Sequence, residues 1–239
     1  MSFLWHGLTQ AWHLIVTGDP YLRHLIWVTI KVVVVSTAVA IVVGLPIGLL
    51  LGLGNFPGRR LGMAVANAGL VLPPVVVGLV LSLLMFPAAP LGRFHLLFTL
   101  RGVYLAQILL ALPIVVALSA AAVRAVPAGL LAQARALDAS TAQVWALALR
   151  EARLGIVAAL IAAVGSALSE VGAVVLVGGN IEGSDQTLAS ATIEQVNAGH
   201  FADAAAIGIV LLGLIAVVIG VLTIIQQRDE TSLTLFRSG

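Results

Sequence analysis

Five long apolar runs, nearly free of charge, constrain the fold of this chain more than any other feature of its sequence. Each is longer than the roughly 20 residues that an α-helix needs to cross the hydrocarbon of a bilayer. Only 9% of the 239 residues are charged, whereas a soluble domain carries about 25%. The sequence therefore predicts an all-α polytopic membrane protein with five transmembrane helices, at about residues 25–53, 62–86, 101–123, 154–179 and 203–227.

The basic residues between these runs predict the orientation of the chain. With five spans, eight basic residues are expected on one side of the membrane: Arg59, Arg60, Arg124, Arg135, Arg150, Arg153, Arg228 and Arg237. The other side receives only Arg23, Arg93 and Arg101, and Lys31 lies at the edge of the first span. Because basic loops are retained in the cytoplasm, we expect the N-terminus outside and the C-terminus inside. The sequence pI near 9.7 thus reflects membrane topology and does not indicate nucleic-acid binding.

The two ends of the chain differ from the predicted transmembrane domain, residues 22–228. Residues 1–21 carry Trp and His side chains among apolar ones and lack the basic start and unbroken apolar centre of a signal peptide. They predict an amphipathic segment at the extracytoplasmic membrane surface, with a frayed terminus as the alternative. Residues 229–239 are polar and predict a cytoplasmic tail.

Two spans contain residues that a plain transmembrane helix lacks. Pro73 and Pro74 remove two backbone donors in mid-span, and hydrocarbon tolerates a broken helix only where protein or a water-filled cavity covers it. Glu170 is the only acid in the interior of a predicted span, since Asp203 stands at the first residue of the fifth. Burying the charge of Glu170 unpaired would cost roughly 3 kcal/mol. It serves either as a structural acid, for instance a helix cap, or as a proton carrier. The structural role is favoured, because one acid without a second titratable group on its helix makes a poor relay.

Neither catalysis nor metal binding is indicated by the remaining residues. The chain has no Gly-x-x-x-x-Gly-Lys-Ser/Thr motif, so it is not expected to hold ATP phosphates in the P-loop manner. It has no Cys, and its five His residues are scattered, so we expect no metal site, no hydrolytic triad and no cofactor. Asp185 and Glu194 are not at metal-ligand spacing and are expected to be solvated charges.

The charged segment at residues 124–153 is a loop between the third and fourth spans, and its composition is helical. Residues 130–149 are strong helix formers, whereas a flexible linker would be rich in Gly, Ser or Pro. Ser140 with Gln143 predicts a capping box, and Asp138 is a competing N-cap. We therefore expect two short helices that meet at a bend near residues 137–140.

Several stretches resemble the permease subunits of ABC importers, in their molybdate, tungstate and sulfate branch. Residues 132–140, Ala-Gln-Ala-Arg-Ala-Leu-Asp-Ala-Ser, are similar to the loop by which such permeases dock onto their ATPases. Ala132, Asp138 and Arg150 stand where the family pattern has Glu, Gly and Pro. Further resemblance lies in residues 72–78, 169–173 and 178–181, and residues 17–20, 30–32 and 56–60 look most like the tungstate permeases of that branch.

This resemblance implies the small ABC importer permease fold in a cell (inner) membrane and a set of partners. They are a second copy of the chain, two ATPase subunits on the cytoplasmic side that bind ATP and Mg, and an extracytoplasmic solute-binding protein. The implied function is ATP-driven import of an oxyanion by alternating access, with tungstate as the substrate and molybdate or sulfate as alternatives. The rival functions are a secondary transporter that uses Glu170 as proton carrier and a scaffold without transport.

The resemblance also implies two sets of site residues. The ATPase-coupling loop would use Ala134, Arg135, Ala136, Leu137, Asp138, Ala139, Ser140, Thr141, Gln143 and Trp145. The candidate translocation pathway comprises Pro73, Pro74, Ser166, Ser169, Glu170 and Asn180. Backbone N–H groups and small polar side chains suit a passing dianion, because Lys or Arg would hold it too tightly for release.

Overall fold

The computed structural model describes residues 2–237, and within this range the regular secondary structure is all helical, joined by turns and loops, with no strand. The helices are α1 (Ser2–Thr17), α2 (Pro20–Leu53), α3 (Arg59–Gly69), α4 (Pro74–Met85), α5 (Leu100–Arg124), α6 (Ala128–Ala136), α7 (Thr141–Glu151), α8 (Arg153–Ser169), α9 (Gly172–Gly178), α10 (Leu188–Asn197) and α11 (Phe201–Arg237), with a short 3-10 turn at Gly92–Phe94. The predicted all-α class is confirmed for the described residues.

Three helices are each long and apolar enough to cross a membrane: α2, α5 and the Phe201–Gln227 part of α11. Two bent pairs meet the same requirement only when taken together, α3 with α4 across a bend of 102° and α7 with α8 across a bend of 65°. The part of the chain that the structure describes therefore has three to five candidate spans. The predicted fourth span, residues 154–179, is divided between α8 and α9. The count of five and the orientation stay predictions.

The helices are arranged around α5, against which α2, α8 and α9 pack. The contact with α2 is close because α2 carries glycines at every fourth position. A Cβ atom at Gly48 would overlap the hydroxyl of Ser119, and one at Gly52 would overlap the side chain of Val123. Small residues at such positions allow two transmembrane backbones to approach and gain dispersion contacts. α5 is therefore the helix against which the interrupted helices are held.

Three helices near the ends of the chain, α1, α10 and the beginning of α11, form a second layer beside this bundle. α1 packs across the beginning of α11, where Gly7 lies against Ala205, and α10 packs on α11 as well. On α1 the side chains of Trp5 and Trp12 are 67% and 70% exposed. Indole rings of this kind are enriched at membrane interfaces. The predicted interfacial segment is thus helical, and its location at the membrane surface stays a prediction.

Candidate functional site

Two interrupted helices meet at their breaks. Residues 70–73 separate α3 from α4, and residues 170–171 separate α8 from α9. The two breaks are neighbours because α4 packs on α9 at a point of very close approach, where a Cβ at Gly78 would lie 2.6 Å from the Cα of Ala173. The break predicted at the two prolines is present. Its partner on the other span is brought beside it by tertiary packing.

Glu170 lies at the second break and caps the helix that follows. Its Oε1 accepts a hydrogen bond of 2.8 Å from the backbone N–H of Ala173, in the first turn of α9. A carboxylate at this place satisfies a donor that the helix leaves free and lies at the positive end of the helix dipole. The cost of placing an acid within a span is thereby reduced, and the contact is that of a structural acid.

Four more residues of the predicted pathway lie beside the same two breaks. Pro73 precedes α4 and Pro74 begins it, while Ser166 and Ser169 are in the last two turns of α8. All four side chains are exposed. The hydroxyl of Ser169 donates to the carbonyl of Gly165 on its own helix, at 3.0 Å, and keeps its lone pairs free. The breaks thus present small, weakly polar groups on an open face of the chain.

Asn180, the sixth residue of the predicted pathway, belongs to a different cluster. Its Nδ2 donates to Glu194 Oε2 of α10 at 2.7 Å, and Gln186 donates to the same oxygen. The hydroxyl of Tyr21, at the start of α2, donates to Gln186 Oε1 at 2.9 Å. This network ties the loop after α9 to α2 and α10. Nothing in the local spacing of these residues indicated it, because its members come from separate parts of the chain.

The same loop buries an acid that was expected to be solvated. Asp185 is 0% exposed, so that expectation is wrong. Its Oδ1 accepts from the N–H of Ile181 at 2.7 Å, and its Oδ2 has no hydrogen-bond partner among the described residues. Room for Oδ2 exists only because Gly178 lacks a side chain. Burial raises the pKa of the Asp185 carboxyl above its ordinary value, against the smaller, opposing effect of its backbone hydrogen bonds.

The loop at residues 124–153 folds as the sequence predicts, as two short helices, α6 and α7, that meet at a bend. The capping box is confirmed, since Ser140 Oγ accepts from the N–H of Gln143 at 3.3 Å and Gln143 Oε1 accepts from the N–H of Ser140 at 2.7 Å. The alternative N-cap is wrong. Asp138 instead adopts a left-handed conformation with φ of 60°. It occupies the position where the family pattern has Gly, which is the residue that adopts this conformation most readily.

One side of this loop is buried and the other is open. Leu131, Val144 and Ala148 are buried in a cluster with Leu49 of α2 and Val123 of α5. The ten predicted coupling residues lie toward the open side or at its margin. Exposed are Arg135, Ala136, Leu137, Asp138, Ser140, Thr141 and Gln143, while Ala134, Ala139 and Trp145 are half-buried.

The most exposed large apolar side chain of the described residues is at the bend itself. Leu137 is 83% exposed. Beside it, a cleft of about 340 Å³ lies between the loop and the end of α2, and its walls include Arg135, Trp145 and Asn55. An exposed apolar side chain next to a polar cleft, on a loop anchored to two long helices, is a surface suited to binding another protein.

Comparison with known proteins gives the class of protein to which this helical fold, with its paired helix breaks and exposed two-helix loop, belongs. Residues 44–229 match the family described as the binding-protein-dependent transport system inner membrane component. The chain belongs to this family, which comprises permease subunits of ABC importers. It is therefore a multi-pass component of a cell membrane.

Curated relatives and a solved structure agree with that assignment. A Haloferax volcanii protein named as a probable anion ABC transporter permease is 41% identical over 206 residues, 83% of this chain and 89% of that protein. The tungstate uptake permease TupB of Peptoclostridium acidaminophilum is 30% identical over 228 residues, 95% of this chain and 100% of that protein. Other relatives are named as sulfate and molybdenum permeases. A solved structure of the methionine ABC transporter MetNI, in an inward-facing conformation, contains a chain of similar fold, with a TM-score of 0.66 and 20% sequence identity. The superposition covers 88% of this chain and 95% of that chain. At this identity the likeness concerns the fold alone.

Proposed function

We propose that this chain is the membrane-spanning subunit of an ATP-driven oxyanion importer, with tungstate as its substrate. It acts as a homodimer with two ATPase subunits on the cytoplasmic side and a solute-binding protein on the other side. The observation that carries the proposal is the α6–α7 loop, whose exposed bend is joined to α2 and α5 by a buried apolar cluster. The names of the relatives, which include an anion permease and tungstate permeases, support the class of substrate.

The loop supplies a physical route from an ATPase to the spans. A partner that grips Leu137 would move α6 and α7 as a unit, because the capping box and the bend fix their relative orientation. The buried contact of α7 with Val123 and Leu49 then passes that displacement to α5 and α2. Packed helices respond to such a displacement by moving as rigid elements, which is what alternating access requires.

The helix breaks supply a pathway of low affinity. Pro73 and Pro74 have no N–H, and the N–H of Ala173 is already bound by Glu170. An anion at this place therefore meets few strong donors and no fixed cation, so it is not retained. The exposed face formed by Pro73, Pro74, Ser166 and Ser169 is the face that we assign to the second copy, with the pathway enclosed between the two chains.

Substitution of Leu137 tests the proposal. Leu137→Glu places a charge where we expect an apolar contact, and because the side chain is 83% exposed the permease itself should fold normally. We expect loss of ATPase co-purification and at least a tenfold fall in tungstate uptake, about 1.4 kcal/mol of lost docking energy. Leu137→Met keeps the apolar contact and should behave as the unsubstituted chain. Normal assembly and uptake with Leu137→Glu would reject the docking role.

Molybdate and sulfate are the alternative substrates, since relatives carry those names as well. The three oxyanions differ little in shape and charge, and the helix breaks have no donor array that would separate them. We therefore place the selection in the solute-binding protein. Uptake assays in cells with each anion as competitor would decide the substrate, and preferential inhibition by molybdate or sulfate would replace tungstate without changing the rest of the mechanism.

A further inference from the structure

An apolar groove in two adjoining parts lies between α2 and α11, and α8 lines its lower part. Its upper part, about 520 Å³, lies under α1, and its lower part is about 450 Å³. The two parts share Leu214 and Val217. On α2 the lining of the lower part extends from Ile30 to Ile41, which is about 16 Å along a helix. This length exceeds half of the roughly 30 Å of bilayer hydrocarbon, so the groove is long enough for an extended acyl chain.

Two cations and an aromatic ring lie on successive turns of α2, each three residues before a residue that lines this groove: Ile26, Ile30 and Val34. Arg23, Trp27 and Lys31 are all exposed, and Trp27 is exposed to 62%. Among the residues whose side chains the structure describes, those of Arg23 and Lys31 form no hydrogen bond or ion pair. They are therefore available to a negatively charged group from outside the chain.

The position of Lys31 matches the edge of the hydrocarbon. At the other end of α2, the Arg59 side chain donates to the carbonyls of Leu51 and Gly52, at 2.7 and 3.0 Å, and we take this contact as the polar boundary there. About 20 helical residues cross the hydrocarbon. Counting back from Leu51 places Lys31 at the opposite boundary, where lipid phosphates lie and where Trp side chains are enriched.

We propose that this groove is a binding site for an anionic phospholipid, with an acyl chain in the groove and the phosphate between Arg23 and Lys31. The charge complementarity favours a lipid over an apolar helix of a second copy, which would leave both cations without a partner. The site is independent of the transported substrate and goes beyond the proposed function.

Lipid titration of the purified full-length chain in detergent, followed by native mass spectrometry, tests the charged end of the site. We expect dioleoylphosphatidylglycerol to bind more tightly than dioleoylphosphatidylcholine. Lys31→Gln should weaken the binding of dioleoylphosphatidylglycerol about fivefold, which corresponds to about 1 kcal/mol for one basic group near a lipid phosphate. The binding of dioleoylphosphatidylcholine should be unchanged. If Lys31→Gln kept the same preference for dioleoylphosphatidylglycerol over dioleoylphosphatidylcholine, the proposal would be overturned.

Arg101→Gln is the matched control for this charge change. Arg101 is exposed and begins α5, which packs through Leu100 and Tyr104 on the face of α2 that carries Val28 and Val32, opposite the groove. We expect Arg101→Gln to bind both lipids as the unsubstituted chain does. An equal fivefold loss in this variant would show a general attraction of anionic lipid to basic surface and would also overturn the site.

Filling the groove tests the apolar end. A Cβ at Gly213, which lines the upper part, would meet no atom within 4 Å, so Gly213→Leu should fold and occupy the groove. We expect Gly213→Leu to weaken the binding of both lipids about tenfold. Gly220→Leu is the control, because a Cβ at Gly220, on the same helix, would also meet no atom within 4 Å and Gly220 lies outside the lining. Undiminished binding in Gly213→Leu would reject the acyl-chain site.

Cross-linking distinguishes a lipid from a second copy of the chain. The chain has no cysteine, and Ala38 is exposed in the lining of the lower groove. We expect Ala38→Cys to give no disulfide-linked dimer under oxidising conditions in membranes, because lipid occupies the position. A linked dimer in high yield would identify the groove as an interface between copies and would refute the lipid site.

Discussion

Substitution of Glu170 distinguishes a structural helix cap from a proton carrier. As a cap Glu170 needs only an acceptor oxygen opposite the N–H of Ala173, and a glutamine supplies one. We therefore expect Glu170→Gln to retain most of the uptake, whereas Glu170→Ala should lose the cap at a cost of about 1 kcal/mol and lower thermal stability. Uptake and thermal unfolding of the purified chain are the measurements. Complete loss of uptake with Glu170→Gln, at normal stability, would favour the proton-carrier mechanism.

Asp185 makes stability depend on pH. Its pKa is raised by burial, so the folded chain holds this proton more tightly than the unfolded chain does. The stabilising effect of the protonated acid is complete below about pH 4 and is lost as the pH rises through the folded-state pKa. Asp185→Asn keeps an acceptor for Ile181 N–H and removes the ionisation. We expect its gain in melting temperature to be larger at about pH 8 than at about pH 5. An equal gain at both values would contradict this assignment.

At the scale of helices, the contact of α4 with α9 depends on a single missing side chain. Gly78→Ala would place a Cβ 2.6 Å from the Cα of Ala173, so the two helices must separate. We expect a loss of about 1–3 kcal/mol in stability, with reduced uptake, because the pathway is proposed to lie at this contact. Gly165→Ala on α8 is the control, since its Cβ would meet nothing nearer than 3.9 Å. Equal thermal unfolding of the two variants would refute this packing.

The bend between α6 and α7 depends on the backbone conformation of Asp138. With φ of 60°, a β-branched side chain is strained there by about 1–2 kcal/mol, whereas Gly and Asn are not. We expect Asp138→Val to reduce ATPase co-purification several-fold and Asp138→Gly to maintain or improve it. If Asp138→Val assembles normally, the bend is not the part of the loop that the ATPase recognises.

At the scale of the whole molecule, the orientation in the membrane is open to direct measurement. Because the chain has no cysteine, single cysteines can be introduced and labelled. Glu182 follows α9 and Gln133 is on α6, and both are exposed. We expect Glu182→Cys to react with an impermeant maleimide in intact cells and Gln133→Cys to react only after permeabilisation. The reverse labelling pattern would place the α6–α7 loop outside the cell and would rule out the ATPase-docking proposal.

Much of the architecture could be predicted from local signals. Apolar runs predict spans because backbone in hydrocarbon must satisfy its own hydrogen bonds, which a helix does alone. The break at Pro73 and Pro74 follows from two missing donors, and the capping box at Ser140 follows from side chains three residues apart. Each of these signals is contained within one turn or one helix, so the sequence is sufficient to find it.

The sequence by itself therefore determined the helical membrane class, the break in one span and the bent loop. Only the tertiary structure decided that this break lies beside a second one, that Asn180 donates a hydrogen bond to Glu194, and that Asp185 is buried. Those outcomes depend on which helices approach closely, through pairs such as Gly78 with Ala173. Close approach is set by the packing of residues far apart in the chain, and apolar spans of similar composition have many arrangements that local patterns cannot rank.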